Sequence, residues 1–129
     1  MAHWHGISRR KATGGRLKRP SSYRGKRRTE IASEKQFTTI GEPTRKNYRK
    51  RAGSQTVRVL FDSVINVADP KTGKVSKATL QSVAENAADP NYVRRNIMTK
   101  GAVVETDKGR VRITSRPGSH GVINGVLLK

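Results

Sequence analysis

Ala102-Val103-Val104-Glu105-Thr106, then Asp107-Lys108-Gly109, then Arg110-Val111-Arg112-Ile113-Thr114: two short β-branched runs meet at a turn that carries a glycine. That is a hairpin signature. Side chains alternate across a pleated strand, so Val111 and Ile113 face one way and Arg110, Arg112 and Thr114 the other. One face belongs to a core and the other presents guanidinium groups. Upstream, Thr56-Val57-Arg58-Val59-Leu60-Phe61 and Val64-Ile65-Asn66-Val67 read as strand, either separate or one long bent strand. Ala68-Asp69-Pro70-Lys71-Thr72-Gly73-Lys74 is a turn, with φ fixed by proline and a positive φ open to glycine. Downstream, Ser115 to Gly121 is a loop and Val122 to Leu128 a final, mostly apolar strand. Residues 75–88 fit two periods. Leu80, Val83, Ala84 and Ala87 suit a helix, whereas Ala78, Leu80 and Ala84 suit a strand. Asp89-Pro90 marks the start of a short helical turn through Tyr92-Val93-Arg94. Many short strands with frequent turns favour a small barrel or sandwich over a parallel α/β sheet. A barrel also leaves no exposed edges.

The chain has 129 residues, enough for one small domain. Its formal charge is +19, and hydrophobic residues make up 33%, below ordinary globular composition. Such charge on a short chain repels itself, and a polyanion is the partner that relieves it. The charge is uneven, with a net +13 in residues 1–53 and +6 in residues 54–129. Only the second part holds enough apolar residues for a core; most of the first cannot offset its ordering entropy alone. No apolar run reaches membrane-spanning length. With no cysteine, disulfide scaffolds and thiolate zinc sites are excluded.

Residues 1–29 carry ten cations and no acid: Arg9, Arg10, Lys11, Arg16, Lys18, Arg19, Arg24, Lys26, Arg27 and Arg28. Gly14-Gly15, Pro20 and Gly25 interrupt any helix. The segment is expected to be an extended arm that orders on a partner. A transit peptide would share its composition but needs an amphipathic apolar stripe that is missing here, and a secretory signal needs an apolar run. Phosphate binding suits such an arm, because each neutralised phosphate releases counterions. A merely solvated surface is the alternative, although so few acids leave little to balance it. A second cluster, Arg45-Lys46-Asn47-Tyr48-Arg49-Lys50-Arg51, precedes the apolar part. Tyr48 there has two readings, stacking on a base or packing on the domain edge. Trp4 and His5, within His3-Trp4-His5, suit stacking on unpaired bases, against the alternative of a loose terminus. Two histidines alone do not complete a metal site.

Catalytic motifs fail on context. Ser8-Arg9-Arg10-Lys11 and Lys71-Thr72-Gly73 match fragments of penicillin-binding enzymes, but no S-D-N element exists and the second lies in a turn. Gly73-Lys74 lacks the glycine that a phosphate-binding loop needs at position 68. The nine acids form no poised pair, and His120 is a loop residue that can touch phosphate.

Two blocks carry a resemblance. The first is Trp4-His5-Gly6-Ile7-Ser8-Arg9-Arg10-Lys11 with Thr13-Gly14-Gly15-Arg16 and Lys26-Arg27-Arg28-Thr29-Glu30. The second runs from Tyr92-Val93-Arg94-Arg95-Asn96-Ile97-Met98-Thr99-Lys100-Gly101-Ala102 through Glu105-Thr106 to Thr114-Ser115-Arg116-Pro117-Gly118. With Asn124 and Val126-Leu127-Leu128, the chain resembles the archaeal and eukaryotic e-type family of small-subunit ribosomal protein eight over nearly its whole length, and its length resembles the archaeal form. The resemblance implies a structural, non-enzymatic role in the cytoplasmic ribosome. The implied partners are small-subunit ribosomal RNA and neighbouring ribosomal proteins, with no cofactor, metal, membrane or small-molecule substrate. It tips residues 77–84 toward strand. It carries RNA contacts over to Arg9, Arg10, Lys11, Arg16, Lys26, Arg27 and Arg28 in the arm, and to Arg94, Arg95, Lys100 and Arg116 in the domain. Arg45, Lys46, Arg49, Lys50, Arg51 and Arg112 join them on charge and position. Family members often have Gly-Gly before the first strand, where this chain has Ala52-Gly53.

The expected fold is all-β: a small closed or nearly closed antiparallel β-barrel over residues 36–129, with a long basic extended N-terminal arm over residues 1–35. The expected function is a structural constituent of the small ribosomal subunit. An assembly factor of the same family and a non-specific nucleic-acid packaging protein are the alternatives.

Overall fold

A computed structural model describes residues 3–6, 10–17, 27–32 and 34–128. The chain divides into two units, Met1–Lys35 and Gln36–Lys129. In the second unit the strands are β1 (Thr38–Ile40), β2 (Thr44–Arg49), β3 (Gln55–Asp62), β4 (Val64–Ala68), β5 (Val75–Glu85), β6 (Ile97–Met98), β7 (Val103–Thr106), β8 (Gly109–Ile113) and β9 (Asn124–Leu127). Two one-turn helices, α1 (Asn91–Arg94) and α2 (Pro117–His120), sit in the connections. The all-β class and the closed barrel are as the sequence indicates. The barrel runs β4-β5-β7-β8-β9 and closes on itself. Its neighbours are antiparallel except at the seam, where β4 and β9 lie parallel with Asn66 opposite Asn124. There the Asn66 Nδ2 donates to Asn124 Oδ1 at 3.0 Å.

A second sheet, β2-β3-β1-β6, was not visible in the sequence. It exists because the run from 55 to 68 is one path serving two sheets. β3 pairs with β2 and β1, and β4 pairs with β5 and β9. The step falls at Asp62-Ser63. Asp62 is buried; its Oδ1 accepts the Val64 N–H at 3.1 Å and its Oδ2 the Arg45 guanidinium at 3.3 Å. A side-chain oxygen thus takes an N–H at the corner where the chain changes ladders.

Residues 75–85 are a strand, and the structure explains why they also fit a helix. Leu80 pairs with Thr106 and Ser82 with Glu105, so Gln81 is an extra residue. This bulge inverts the in–out phase. Ala78 and Leu80 are buried before it and Val83 after it, which leaves a spacing of three between two core residues of one strand. The hairpin of β7 and β8 is in simple register, from Val103 opposite Arg112 to Thr106 opposite Gly109. Val111 and Ile113 are buried and Arg110 and Arg112 exposed. Asp89 Oδ1 accepts the Asn91 N–H at 2.9 Å and so starts α1.

One cluster of buried side chains serves both sheets. Ile65, Leu80, Val104, Val111 and Ile113 come from the barrel, and Val59 and Met98 from the second sheet. The interior leaves no room at Gly125, where an added Cβ would run into Val111 Cγ1 and lie 3.1 Å from Ile65 Cδ1. In the hairpin between β2 and β3, Ala52 has φ 65° and Gly53 φ 80°. Alanine therefore occupies a left-handed position that suits glycine.

In the first unit, Trp4 and Ile31 form an antiparallel bridge. It is flanked by hydrogen bonds from His5 N–H to Glu30 O (2.7 Å) and from Ala32 N–H to His3 O (2.8 Å). Arg28–Glu30 is a single 3₁₀ turn. Arg10 and Arg16 are bridged across a tight turn, with Lys11 N–H on Gly15 O at 2.8 Å. These described stretches fold back locally, and the structure does not show the long extended arm that the sequence pattern suggests. Beside the first of them, the Glu30 carboxylate accepts the Trp4 indole N–H at 3.0 Å.

Gly125→Ala is expected to cost about 1–3 kcal/mol by overpacking. Ala52→Gly is expected to stabilise by up to about 1 kcal/mol, the relief of left-handed strain less the added freedom of the unfolded chain. Urea denaturation of the two variants checks both signs.

Candidate nucleic-acid interface

The cations of the second unit fall into three settings. In the first, β2 is an edge strand carrying Arg45, Lys46 and Arg49, and the following turn carries Lys50 and Arg51; all five are exposed. A charged edge discourages pairing with another strand. Arg45 is the member committed elsewhere, since its guanidinium pairs with the buried Asp62 carboxylate at 3.3 Å.

Aromatic rings hold several of the others. Tyr48 has the Arg58 guanidinium 4.8 Å and the Lys46 ammonium 5.4 Å from its ring centroid. Gln36 donates its side-chain N–H to the Tyr48 hydroxyl and accepts from Arg58 Nη1 at 3.1 Å. The Gln36 hydrogen bond, then the charges of Lys46 and Arg58, hold the Tyr48 phenol below its ordinary value of 10.0. Tyr48 thus packs at the domain edge as a platform for cations. A second platform stands at α1. The rings of Phe37 and Tyr92 lie 5.2 Å apart, and Arg95 sits 5.5 Å over Phe37. Arg94, on the same turn, is exposed.

The third setting is a cleft of about 430 Å³. Arg58, Lys100 and Arg116 line it together with Gln36, Pro117 and Gly118, and no acid is among its lining residues. Of the three cations, Lys100 and Arg116 were expected in the interface. Arg58 was not, although its place between Val57 and Val59 on a strand turns it away from the core residue Val59. Gln36, Phe37 and Tyr92 were missed as well; only an aromatic next to basic residues could have signalled the last. Arg116 is fixed at the backbone, where its N–H donates to His120 Nδ1 at 3.2 Å. His120 is a loop brace, not a base in a reactive pair. Arg112 stands on the outer face of the barrel, opposite Val103 and Val126.

Of the expected residues in the first unit, Arg9, Lys18, Arg19, Arg24 and Lys26 lie outside the described residues. Arg10, Lys11, Arg16, Arg27 and Arg28 are exposed. His5 is exposed and Trp4 half-buried. The Trp4 indole N–H donates to Glu30 Oε2 at 3.0 Å, and its ring lies so close over Gly6 that a Cβ there would collide with it. Glycine at position 6 is what lets the ring lie down.

No group of three potential metal-binding acids, histidines or cysteines exists among the described residues. No helix among them is long and apolar enough to cross a membrane. The fold and surface define a small basic β-barrel protein that presents cations and ring faces to its surroundings.

Comparison with known proteins gives the family. The model described as ribosomal protein S8e matches residues 4–128. "Small ribosomal subunit protein eS8" of Methanocorpusculum labreanum is 52% identical over 126 residues, covering 98% of each chain. Its namesakes in Methanospirillum hungatei and Methanosarcina barkeri are 51% and 44% identical over the same coverage. The chain belongs to the ribosomal protein S8e family, which is non-enzymatic.

A tyrosinate absorbance titration, with Tyr48→Phe as the difference control, should show Tyr48 ionising below the ordinary value of 10.0. Gln36→Ala should return it toward the ordinary range, because the donor that favours the phenolate is gone.

Proposed function

We propose that this chain is a structural constituent of the small ribosomal subunit that binds ribosomal RNA. What carries the reading is the joint observation of a +19 charge and a match along 98% of the chain to relatives named as small-subunit proteins. Residues 36–129 act as the preformed body and residues 1–35 as the basic arm. In the arm, Arg9, Arg10, Lys11, Arg16, Lys18, Arg19, Arg24, Lys26, Arg27 and Arg28 neutralise phosphates where RNA strands crowd, and Trp4 and His5 meet bases. In the body, the contacts are Arg45, Lys46, Arg49, Lys50, Arg51, Arg94, Arg95, Lys100, Arg112 and Arg116. Arg45 serves with what its pairing to Asp62 leaves exposed. Neighbouring ribosomal proteins share the site, and the protein acts in the cytoplasm, within the ribosome.

The physics favours phosphate over any other ligand. Lysines and arginines that neutralise phosphates release the counterions condensed on the RNA, and so gain affinity without needing a shaped pocket. Among the described residues the hydrophobic cluster of the body runs from Ile40 to Leu127, which supports a body that folds without the arm.

Two measurements test this. The full chain should co-sediment with mature small subunits at moderate salt; release there would favour an assembly factor, and equal competition by duplex DNA a packaging protein. Its affinity for ribosomal RNA should fall by about 10³–10⁵ between roughly 50 and 200 mM salt if about 6–10 phosphates are contacted. Deleting residues 1–30 should leave the body folded by circular dichroism but abolish incorporation into subunits; normal incorporation would refute the role of the arm.

A further inference from the structure

We propose that the cleft between Arg58, Lys100 and Arg116 is a seat for the phosphate group of a single RNA nucleotide. This rests on the RNA-binding reading and adds a defined site to it.

Three observations meet here. First, three cations converge from three separate parts of the chain: Arg58 from β3, Lys100 from the turn before β7, and Arg116 from the loop before β9. None of the three pairs with a carboxylate among the described residues, unlike Arg45, which has Asp62. Converging like charges repel, and such a grouping is stable in a compact body when an anion sits among them.

Second, Arg58 is set in place. Its guanidinium lies 4.8 Å over the Tyr48 ring, and its Nη1 donates to Gln36 Oε1 at 3.1 Å. Its Nε is buried with no hydrogen-bond partner. A charged donor left in that state costs free energy, and such groups call for an explanation. Stacking and a neutral amide fix the group without cancelling its charge. Pre-positioning of this kind reduces what must be ordered on binding. At Arg116 it is the backbone that is held, its N–H donating to His120 Nδ1, and the side chain is exposed.

Third, the cleft is larger than the anion alone requires. Its volume of about 430 Å³ lies within the range of small-ligand sites. Ala88, Pro117 and Gly118 line it beside the polar Thr99 and Ser119. A phosphate at the cations can therefore enter with its ribose still attached, which a closed anion cage would forbid.

The test uses the full ¹⁵N-labelled chain and uridine 5′-monophosphate as the probe, with uridine as the phosphate-free control. Uridine monophosphate should shift the amide signals of Gln36, Lys100 and Gly118 in a saturable way, and uridine should not. In the double variant Lys100→Gln with Arg116→Gln, both exposed side chains, the affinity at those signals should be roughly tenfold weaker or worse. The same spectra report that the variant is folded. Lys108→Gln, in the β7–β8 turn, should behave as the parent does. With a single-stranded RNA, the log–log salt slope of the double variant should be shallower by about 1.4. Equal shifts with uridine, no shifts at the three amides, or an unchanged affinity in the double variant would overturn the seat. If the double variant loses nothing while the full chain still enters subunits, the seat fails and the RNA-binding reading stands. If the full chain never enters subunits, that reading fails whatever the cleft binds.

Discussion

The corner at Asp62-Ser63 is the constraint on which the rest depends. A single β-branched run supplies the middle of one sheet and then the first strand of a closed barrel. Changing ladders leaves a backbone donor unsupported, and burying such a donor costs about as much as a lost hydrogen bond. Asp62 resolves this by accepting the Val64 N–H, while Arg45 from the neighbouring strand balances its charge. One buried acid thereby lets a chain of modest apolar content wrap two sheets on one cluster of side chains.

Charge sets the complementary limit. Nine acids face 28 cations, and one acid is spent at the corner. Others are engaged locally: Glu30 takes the Trp4 indole N–H, Asp69 closes its turn by accepting from Lys71 N–H and the Thr72 hydroxyl, and Glu105 accepts from Ser82. Among the described residues, Asp62, Asp69, Asp89 and Asp107 each accept a backbone N–H. Aromatic rings position some of the cations. Tyr48 and Phe37 hold arginines by their faces, which steadies a cation without cancelling it. Steadied but unneutralised cations suit a family of ribosomal proteins.

Much of the architecture was legible because it follows alternation. Val111 and Ile113 inside with Arg110 and Arg112 outside is a period of two with a glycine turn before it, and nothing in three dimensions had to be known. Leu80 and Val83 were ambiguous for a definite reason: a bulge at Gln81 gives a strand the spacing of a helix, and only the partner strand reveals it. The second sheet was hidden because β1 and β6 are three and two residues long, too short to show any period, and β2 is polar throughout. At the surface, the basic clusters were visible as composition. The cleft was not, because Arg58, Lys100 and Arg116 are far apart in sequence and meet through the fold alone. Ala52 is a local conflict the sequence did flag, as the departure from a glycine pair, and the backbone there is left-handed.

The parallel seam of the barrel has a consequence for how the protein is made. Its facing residues, Asn66 and Asn124, stand 58 positions apart. Contacts of that reach form late and slowly, since a long loop must be ordered before they return anything. Until the last strand arrives, β4 presents an open edge that any other extended chain could occupy.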